Sequence, residues 1–251
     1  MLRKINIEDI EIIARAAGKA IMEIYQQDFH IELKEDKSPL TEADIKANNI
    51  ICDALKALHP EIPILSEEGK SISYAVRKNW EYFWLIDPID GTKEYIKKTG
   101  EFTVNIALIY KDKPVLGVVY APAIDDLYWS KENEGAYKNS QKLPLVVNES
   151  PKEKLTVVAS ASHPSKETKK FIDALDTKEI KLIAKGSSLK LCMVAEGVAD
   201  IYPRLAPTME WDTGAAHAVV LEAGKDVVNY EGEQTLVYNK ENLLNPWFVV
   251  S

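Results

Sequence analysis

Two aspartates stand close together directly after an apolar run that is typical of a buried strand. The run at residues 82–86 is followed by Asp87-Pro88-Ile89-Asp90-Gly91. Because Pro88 restricts its own φ and Gly91 permits a sharp turn, we expect both carboxylates to lie on one tight turn. Carboxylates at short range repel each other unless a cation or a proton lies between them, and Mg²⁺ suits such oxygen ligands. Taken alone, the segment is equally consistent with a simple strand-end turn, since Asp, Pro and Gly all favour turns.

Two further acidic segments lie elsewhere in the chain. Ser66-Glu67-Glu68-Gly69 follows a predicted short strand at residues 62–65 and forms a second acidic strand end. Asp212 precedes Gly214-Ala215-Ala216, whose small side chains permit close packing of a helix. The alternative role for Asp212 is a helix N-cap or a first-turn acid, which the helix dipole favours. The three segments together provide the carboxylates of a candidate metal site.

Composition and charge restrict the class of protein. The 251 residues suit one large domain or two small ones, and the net charge of −8 argues against a protein that coats nucleic acid. Cys52 and Cys192 lie far apart in apolar helical patterns, so we expect two buried free thiols and a reducing compartment. The sequence begins without a signal-peptide core, and no apolar run is long enough to span a membrane. We therefore expect a cytoplasmic protein with no integral membrane segment, and loose association with the cytoplasmic membrane face stays open.

The first 150 residues predict an α+β half, in which two helices pack against a mainly antiparallel sheet. Helical periodicity covers residues 7–26, with Asn6 as the cap and Asp9 reaching back, and a second helix covers residues 41–58. Residues 111–114 are predicted to join the two strands of a hairpin. The strand patterns that follow the helices lie at residues 62–65, 82–86, 102–110, 115–120, 127–130 and 135–138.

Residues 151–251 predict an α/β half, because strand and helix patterns alternate there. The boundary between the halves lies in the polar stretch 148–154, which contains Pro151. The predicted strands are at residues 156–160, 180–184 and 199–202. The predicted helices are at residues 166–175, 188–196 and 211–223.

Together, the three acidic segments resemble the motifs of the magnesium-dependent, lithium-sensitive inositol monophosphatase superfamily, and the resemblance covers essentially the whole chain. It implies a layered α-β-α-β-α sandwich. Four other segments are similar to those of the 3′(2′),5′-bisphosphate nucleotidases of CysQ type within that superfamily, namely residues 92–95, 186–190, 195–204 and 207–212. The chain departs from the usual pattern at Gly214-Ala215-Ala216 and at Glu222-Ala223-Gly224-Lys225, which affect packing near the site more than its ligands.

The resemblance implies a site for two or three Mg²⁺ ions. It assigns Glu67, Asp87 and the carbonyl of Ile89 to one ion, and Asp87, Asp90 and Asp212 to a second, so that Asp87 bridges them. Paired metals of this kind stabilise both the attacking and the leaving oxygen of an in-line phosphoryl displacement.

The resemblance also places Asp44 and Thr92 beside the nucleophilic water. The Thr92 hydroxyl would accept a proton from the water and donate its own to Asp44, so that the pair acts as a general base. The alternative for Asp44 is structural, because Thr41-Glu42-Ala43-Asp44 has the spacing of a capping box. Both roles are compatible.

Further residues are expected to contact the substrate. A helix N-terminus with free N–H groups, a lysine point charge and an arginine fork are all suited to a phosphate that does not react. The residues that the resemblance assigns to substrate binding are Glu67, Ile89, Asp90, Gly91, Thr92, Ser160, His163, Gly186, Ser187, Lys190, Arg204 and Asp212.

The expected activity is hydrolysis of the 3′ phosphate of adenosine 3′,5′-bisphosphate, which yields AMP and phosphate. The alternatives are an inositol monophosphatase or a fructose-1,6-bisphosphatase with the same metal site, and a non-catalytic protein that binds Mg²⁺ and polyphosphates. The expected partner is a small phosphorylated nucleotide and not a nucleic acid. The expected oligomeric state is a monomer or a homodimer.

Overall fold

The computed structural model describes residues 1–27, 31–33, 39–146, 153–160, 165–232 and 234–251. The N-terminal elements are helix α1 (Ile7–Tyr25), the hairpin strands β1 (Ile31–Leu33) and β2 (Pro39–Thr41), and helix α2 (Glu42–Leu58). The Asn6 side chain caps α1 by accepting the N–H of Glu8 at 3.3 Å, whereas the sequence pattern favoured a capping box with Asp9. Both predicted helices are confirmed to within one residue at each end.

A seven-stranded sheet forms the centre of the molecule. Its strands, in spatial order, are β3 (Ile64–Ser66), β4 (Tyr82–Asp90), β5 (Thr103–Tyr110), β6 (Lys113–Ala121), β7 (Asp126–Lys131), β8 (Gly135–Lys138) and β9 (Gln141–Lys142). β3 pairs with β4 in parallel and the other pairs are antiparallel, which confirms the mainly antiparallel sheet. The short helices α3 (Tyr74–Arg77) and α4 (Thr92–Ile96) follow β3 and β4.

One boundary in this sheet differs from the prediction. Lys113 and Pro114 lie inside β6, so the predicted four-residue hairpin connection is wrong and only residues 111–112 join the strands. Pro114 faces Ile109 where the register of the pair shifts. A bulge is a position where the missing N–H of proline is tolerated in a strand.

The C-terminal part contains two smaller sheets. Its elements are β10 (Lys154–Ser160), α5 (Lys166–Asp173), β11 (Glu179–Lys185), α6 (Leu189–Glu196), β12 (Tyr202–Arg204), α7 (Gly214–Glu222), β13 (Val227–Asn229) and β14 (Phe248–Val250). β10 and β11 are parallel, and β12, β14 and β13 form an antiparallel sheet in that order. The strand predicted at 199–202 lies later, at Tyr202–Arg204, so that prediction is wrong for three of its four residues.

The helix that carries Asp212 also differs from its prediction. It begins at Gly214, and Glu210–Asp212 form a separate 3₁₀ turn before it. The Asp212 carboxylate accepts the backbone N–H of Met209 at 3.0 Å and so closes that turn. Asp212 is therefore held at the end of a turn rather than inside a helix.

Two hydrophobic cores lie on opposite faces of the large sheet. Side chains alternate along β4, so that Trp84 packs with α1 and α2 while Leu85 packs with α6 and α7. β12 in turn contacts both α6 and α5. These contacts agree with the expected α-β-α-β-α sandwich.

The predicted boundary between two halves falls partly on residues 147–152, which lie outside the described residues. α7 packs across β5, β6 and β7, so it contacts strands from the first half. The division into two halves stays a prediction.

Cys52 and Cys192 are buried free thiols, as expected. Across the described ranges, no helix combines the length and apolarity needed to cross a membrane.

Candidate active site

The end of β4 carries the two aspartates, but the predicted tight turn after residue 86 is wrong. Asp87 and Asp90 both lie inside the strand and pair with β5, on either side of a bulge. Asp87 is almost completely buried, with 1% exposure, and its Oδ1 accepts the N–H of Ile89 at 3.0 Å. The pairing of β4 with β5 shifts register between Asp87 and Asp90, which turns the chain at that point. Gly91 follows with a φ of +91°, a conformation that side-chain-bearing residues rarely adopt.

Three carboxylates from distant segments converge near this turn. Ligand oxygens of Glu67, Asp87 and Asp212 all lie within 4.8 Å of one another. Glu67 reaches the cluster because β3 runs parallel to β4 and the Glu67 N–H donates to the carbonyl of Ile86 at 3.1 Å. Asp212 comes from a distant part of the chain, on the 3₁₀ turn before α7. Parallel pairing and helix packing therefore bring together residues that are far apart in the sequence.

The electrostatics of the cluster favour a positive charge between its members. Burial, followed by the charges of Glu67 and Asp90, raises the pKa of Asp87 well above its ordinary value. Burial and the neighbouring Asp90 raise the pKa of Asp212 to about 8. Burial raises the pKa of Asp90 to about 6, with Lys190 opposing the change. A set of buried, mutually repelling oxygen donors fits a hard divalent cation such as Mg²⁺.

A cavity of about 350 Å³ adjoins the cluster. Asp212 belongs both to the carboxylate cluster and to the wall of this cavity. The other predicted site residues that line the cavity are Asp90, Gly91, Ser160, Gly186, Ser187, Lys190 and Arg204. The structure therefore places the acidic turn of the first half and the basic residues of the second half around one space.

The two basic residues are held in different ways. Lys190 is buried with 6% exposure, and its Nζ donates to the carbonyl of Ser187 at 2.6 Å. Burial lowers the pKa of Lys190 to about 8, although Asp90 opposes the change. Arg204 donates from Nη2 to the carbonyl of Pro207 at 2.9 Å, and its buried Nε has no hydrogen-bond partner among the described residues. Both side chains keep N–H groups that could donate hydrogen bonds to an anionic group in the cavity.

The turn before α6 differs from the free helix N-terminus that we expected. The N–H of Gly186 donates to Oε2 of Glu101 at 2.8 Å, so this amide is already paired within the protein. The Gly186 amide is therefore not free for an anion, whereas the side chains of Lys190 and Arg204 line the cavity. His163, which was expected in the same subsite, lies outside the described residues.

Asp44 and Thr92 have the following contacts. Oδ2 of Asp44 accepts the N–H of Thr41 at 2.8 Å and its hydroxyl at 2.6 Å, so the capping box predicted as the alternative is present. Thr92 begins α4, and its hydroxyl donates to the carbonyl of Ile89 at 3.2 Å. The proton relay between Asp44 and Thr92 stays a prediction.

Several cavity residues were not predicted as site residues. Lys93 and Glu94 line the cavity because they form the first turn of α4. Their position directly after Thr92 was the signal that could have identified them. Ser165 and Thr168 line it from the start of α5, where the Ser165 hydroxyl accepts the N–H of Thr168 at 3.1 Å.

Comparisons with known proteins agree with this geometry. Residues 1–247 match the model of the Inositol monophosphatase family. The 3′(2′),5′-bisphosphate nucleotidase CysQ of Salmonella typhimurium is 44% identical over 248 residues, which cover 98% of this chain and 99% of the relative. The crystal structure of CysQ from Bacteroides thetaiotaomicron has a TM-score of 0.86 and 44% identity, covering 95% of this chain and 94% of that one. An IMPase from Thermotoga maritima has a TM-score of 0.77 and 26% identity, covering 95% and 89%. The chain belongs to the inositol monophosphatase family.

Proposed function

We propose that this protein is a Mg²⁺-dependent 3′(2′),5′-bisphosphate nucleotidase, which hydrolyses the 3′ phosphate of adenosine 3′,5′-bisphosphate to AMP and phosphate. The observation that carries the proposal is the cavity whose wall contains both the acidic residues Asp90 and Asp212 and the basic residues Lys190 and Arg204. A substrate with two phosphates can use the cations as well as the metal ions that the carboxylates would hold, whereas a monophosphate needs only the metal ions. The CysQ relatives support the same substrate class.

The carboxylates of Glu67, Asp87, Asp90 and Asp212, together with the carbonyl of Ile89, would hold two or three Mg²⁺ ions. When bound, these ions supply positive charge to the phosphate that is cleaved and to the oxygen that leaves it. The contribution of the protein is to hold these oxygen ligands in fixed positions. The bulge near the end of β4 orients Asp87, because its Oδ1 accepts the N–H of Ile89 there.

Thr92 and Asp44 are proposed to remove the proton from the attacking water. The bond from the Thr92 hydroxyl to the Ile89 carbonyl holds that hydroxyl beside the turn that carries Asp87 and Asp90. Asp44 is fixed by its two bonds from Thr41, which limits the movement of its carboxylate. A fixed acceptor suits general-base catalysis, because proton transfer requires hydrogen-bond distance and alignment.

Lys190 and Arg204 are proposed to bind the 5′ phosphate, which does not react. Both are cationic groups in the wall of the cavity. Anchoring this group orients the ester bond that is cleaved, so the contacts improve affinity and positioning together. The enzyme is further proposed to be cytoplasmic and sensitive to Li⁺, and to act as a monomer or a homodimer in sulfur metabolism.

A phosphate-release assay tests this proposal. The substrates are adenosine 3′,5′-bisphosphate, 3′-AMP, inositol 1-phosphate and fructose 1,6-bisphosphate, each with Mg²⁺ and with excess EDTA. We expect the highest kcat/KM for the nucleotide bisphosphate, by about tenfold or more over 3′-AMP, and no turnover in EDTA. Asp87→Asn, purified in parallel, controls for contaminating phosphatases.

Two results would contradict the proposal. A preference for inositol 1-phosphate or fructose 1,6-bisphosphate would favour the other activities of the family. Full activity in EDTA would show that the reaction does not require a metal ion.

A further inference from the structure

Glu101 lies between the two turns that build the cavity, although its side chain is not part of the cavity wall. It precedes β5, and its Oε2 accepts the Gly186 N–H at 2.8 Å. Its Oε1 lies 3.2 Å from Nζ of Lys185. Both carboxylate oxygens are therefore directed at the turn that leads into α6.

The backbone of Glu101 also packs tightly against both turns. A Cβ added at Gly91 would lie 3.0 Å from the carbonyl oxygen of Glu101. A Cβ added at Gly186 would lie 2.8 Å from the same oxygen. Glu101 thus contacts the turn that carries Asp90 and the turn that precedes Lys190 at the same time.

The turn at Gly186-Ser187-Ser188 needs external support. Ser187 has a φ of +48°, which is costly for a residue with a side chain. Ser188 is anchored to the core by the bond from its hydroxyl to Oδ1 of Asn105 at 2.8 Å. The bond to Glu101 supports the other end of the turn, at Gly186.

The conformation of this turn sets the position of a cation in the cavity. Nζ of Lys190 donates to the carbonyl of Ser187 at 2.6 Å, so movement of Ser187 would move the ammonium group with it. The Glu101 side chain contacts Lys185 and Gly186, whereas Gly91, next to Asp90, meets the Glu101 backbone carbonyl, which a substitution leaves in place. A change of the Glu101 side chain should therefore affect Lys190 more than the carboxylate cluster.

We infer that Glu101 is a positioning residue for the subsite of the phosphate that does not react, acting through Gly186 and the turn that holds Lys190. The inference rests on the proposed function, because it assumes that Lys190 binds such a phosphate. Glu101 itself does not line the cavity. Its effect is selective, since it favours substrates with two phosphates over those with one.

Three variants separate the contacts of Glu101. Glu101→Ala removes both contacts, Glu101→Gln keeps an acceptor oxygen for the Gly186 N–H, and Lys185→Ala removes only the ion pair. Steady-state kinetics are measured with adenosine 3′,5′-bisphosphate and with 3′-AMP. For Glu101→Ala we expect KM for the bisphosphate to rise about tenfold, with kcat nearly unchanged and 3′-AMP hydrolysis unaffected. Glu101→Gln should recover most of the affinity, and Lys185→Ala should behave like the wild type.

The ratio of the two kcat/KM values is the decisive quantity. Both substrates are hydrolysed by the same folded molecules, so a partly unfolded variant leaves the ratio unchanged. A wild-type ratio in Glu101→Ala would overturn the inference, and so would equal losses in Glu101→Gln and Glu101→Ala. If the wild-type enzyme itself shows no preference for the bisphosphate, it is the proposed function that fails.

Discussion

Asp44 combines a structural contact with a proposed catalytic role. It is buried, and its Oδ2 accepts two hydrogen bonds from Thr41 at the start of α2. These bonds account for helix capping. The proposed relay through Thr92 predicts a much larger effect on rate than capping does, so the two roles can be separated by measurement.

We expect Asp44→Asn to lower kcat by about 10²- to 10⁴-fold, because a neutral amide cannot accept the proton. Loss of the cap alone costs about 1 kcal/mol of stability and leaves the chemistry intact. Thr41→Ala is the matched control, since it removes the hydroxyl bond of the cap while the backbone N–H of residue 41 still donates to the Asp44 carboxylate. Kinetics and thermal melting are measured for both variants. Normal kcat in Asp44→Asn with a clear loss of stability would restrict Asp44 to the cap.

Arg204 tests the subsite for the second phosphate more cleanly than Lys190 does. Lys190 also supports the turn at Ser187, whereas Arg204 donates from Nη2 to the carbonyl of Pro207. We expect Arg204→Ala to lower kcat/KM for adenosine 3′,5′-bisphosphate about ten- to a hundredfold and to leave 3′-AMP hydrolysis nearly unchanged. Arg15→Ala, which removes an exposed cation paired with Asp125, serves as the control. Equal losses of kcat/KM on both substrates would mean that Arg204 supports the folded structure and does not bind the second phosphate.

At the scale of elements, the packing of α7 on the large sheet determines where Asp212 lies. A Cβ added at Gly117 in β6 would lie 2.1 Å from the carbonyl oxygen of Ala215 in α7. Such a distance is possible only without a side chain, so the helix lies directly on the strand. Asp212 precedes this helix by two residues and therefore moves with it.

We expect Gly117→Ala to push α7 away from the sheet and to lower Tm by about 3–10 °C, as overpacked cores do. More Mg²⁺ should then be needed for half-maximal activity, because Asp212 is displaced from Glu67 and Asp87. Gly232→Ala is the control, since a Cβ there meets only the Asn229 side chain, at 3.8 Å or more. If Gly117→Ala is destabilised but its Mg²⁺ requirement is unchanged, the packing of α7 does not determine the metal site.

At the scale of the whole molecule, the buried carboxylates couple stability to pH. Their pKa values are raised, to about 8 for Asp212 and about 6 for Asp90, from an ordinary value of 3.8. Between the ordinary and the raised values the folded protein binds more protons than the unfolded chain does. The free energy of unfolding therefore falls as the pH rises through this window.

In EDTA we expect Tm to fall from about pH 5 to about pH 8, as the carboxylates lose protons and repel each other. Added Mg²⁺ should raise Tm more at the higher pH, because protons and cations compete for the same oxygens. Asp212→Asn should flatten the pH dependence in EDTA. A Tm that does not change with pH in EDTA, or an equal effect of Mg²⁺ at both pH values, would contradict this account of the cluster.

Local sequence patterns were sufficient to predict many of the elements. The 3.6-residue period of α1 and α2 and the apolar runs of β4 and β5 reflect local burial, and the structure confirms these elements, although β4 continues to Asp90. The acidic segments were visible for the same reason, because each lies at the end of an apolar run or beside a helix. The superfamily and the layered fold followed from the motifs, and the comparisons confirm both.

Other features depended on the tertiary structure. Pro114 lies in a strand because a bulge in its pairing with β5 tolerates a proline, and Asp212 ends a 3₁₀ turn because its carboxylate closes that turn. The contact between Glu101 and Gly186 joins segments 85 positions apart, and no local pattern indicates such a pair. A periodicity reports which face of an element is buried. Only the packing of the layers decides which polar groups of different elements meet.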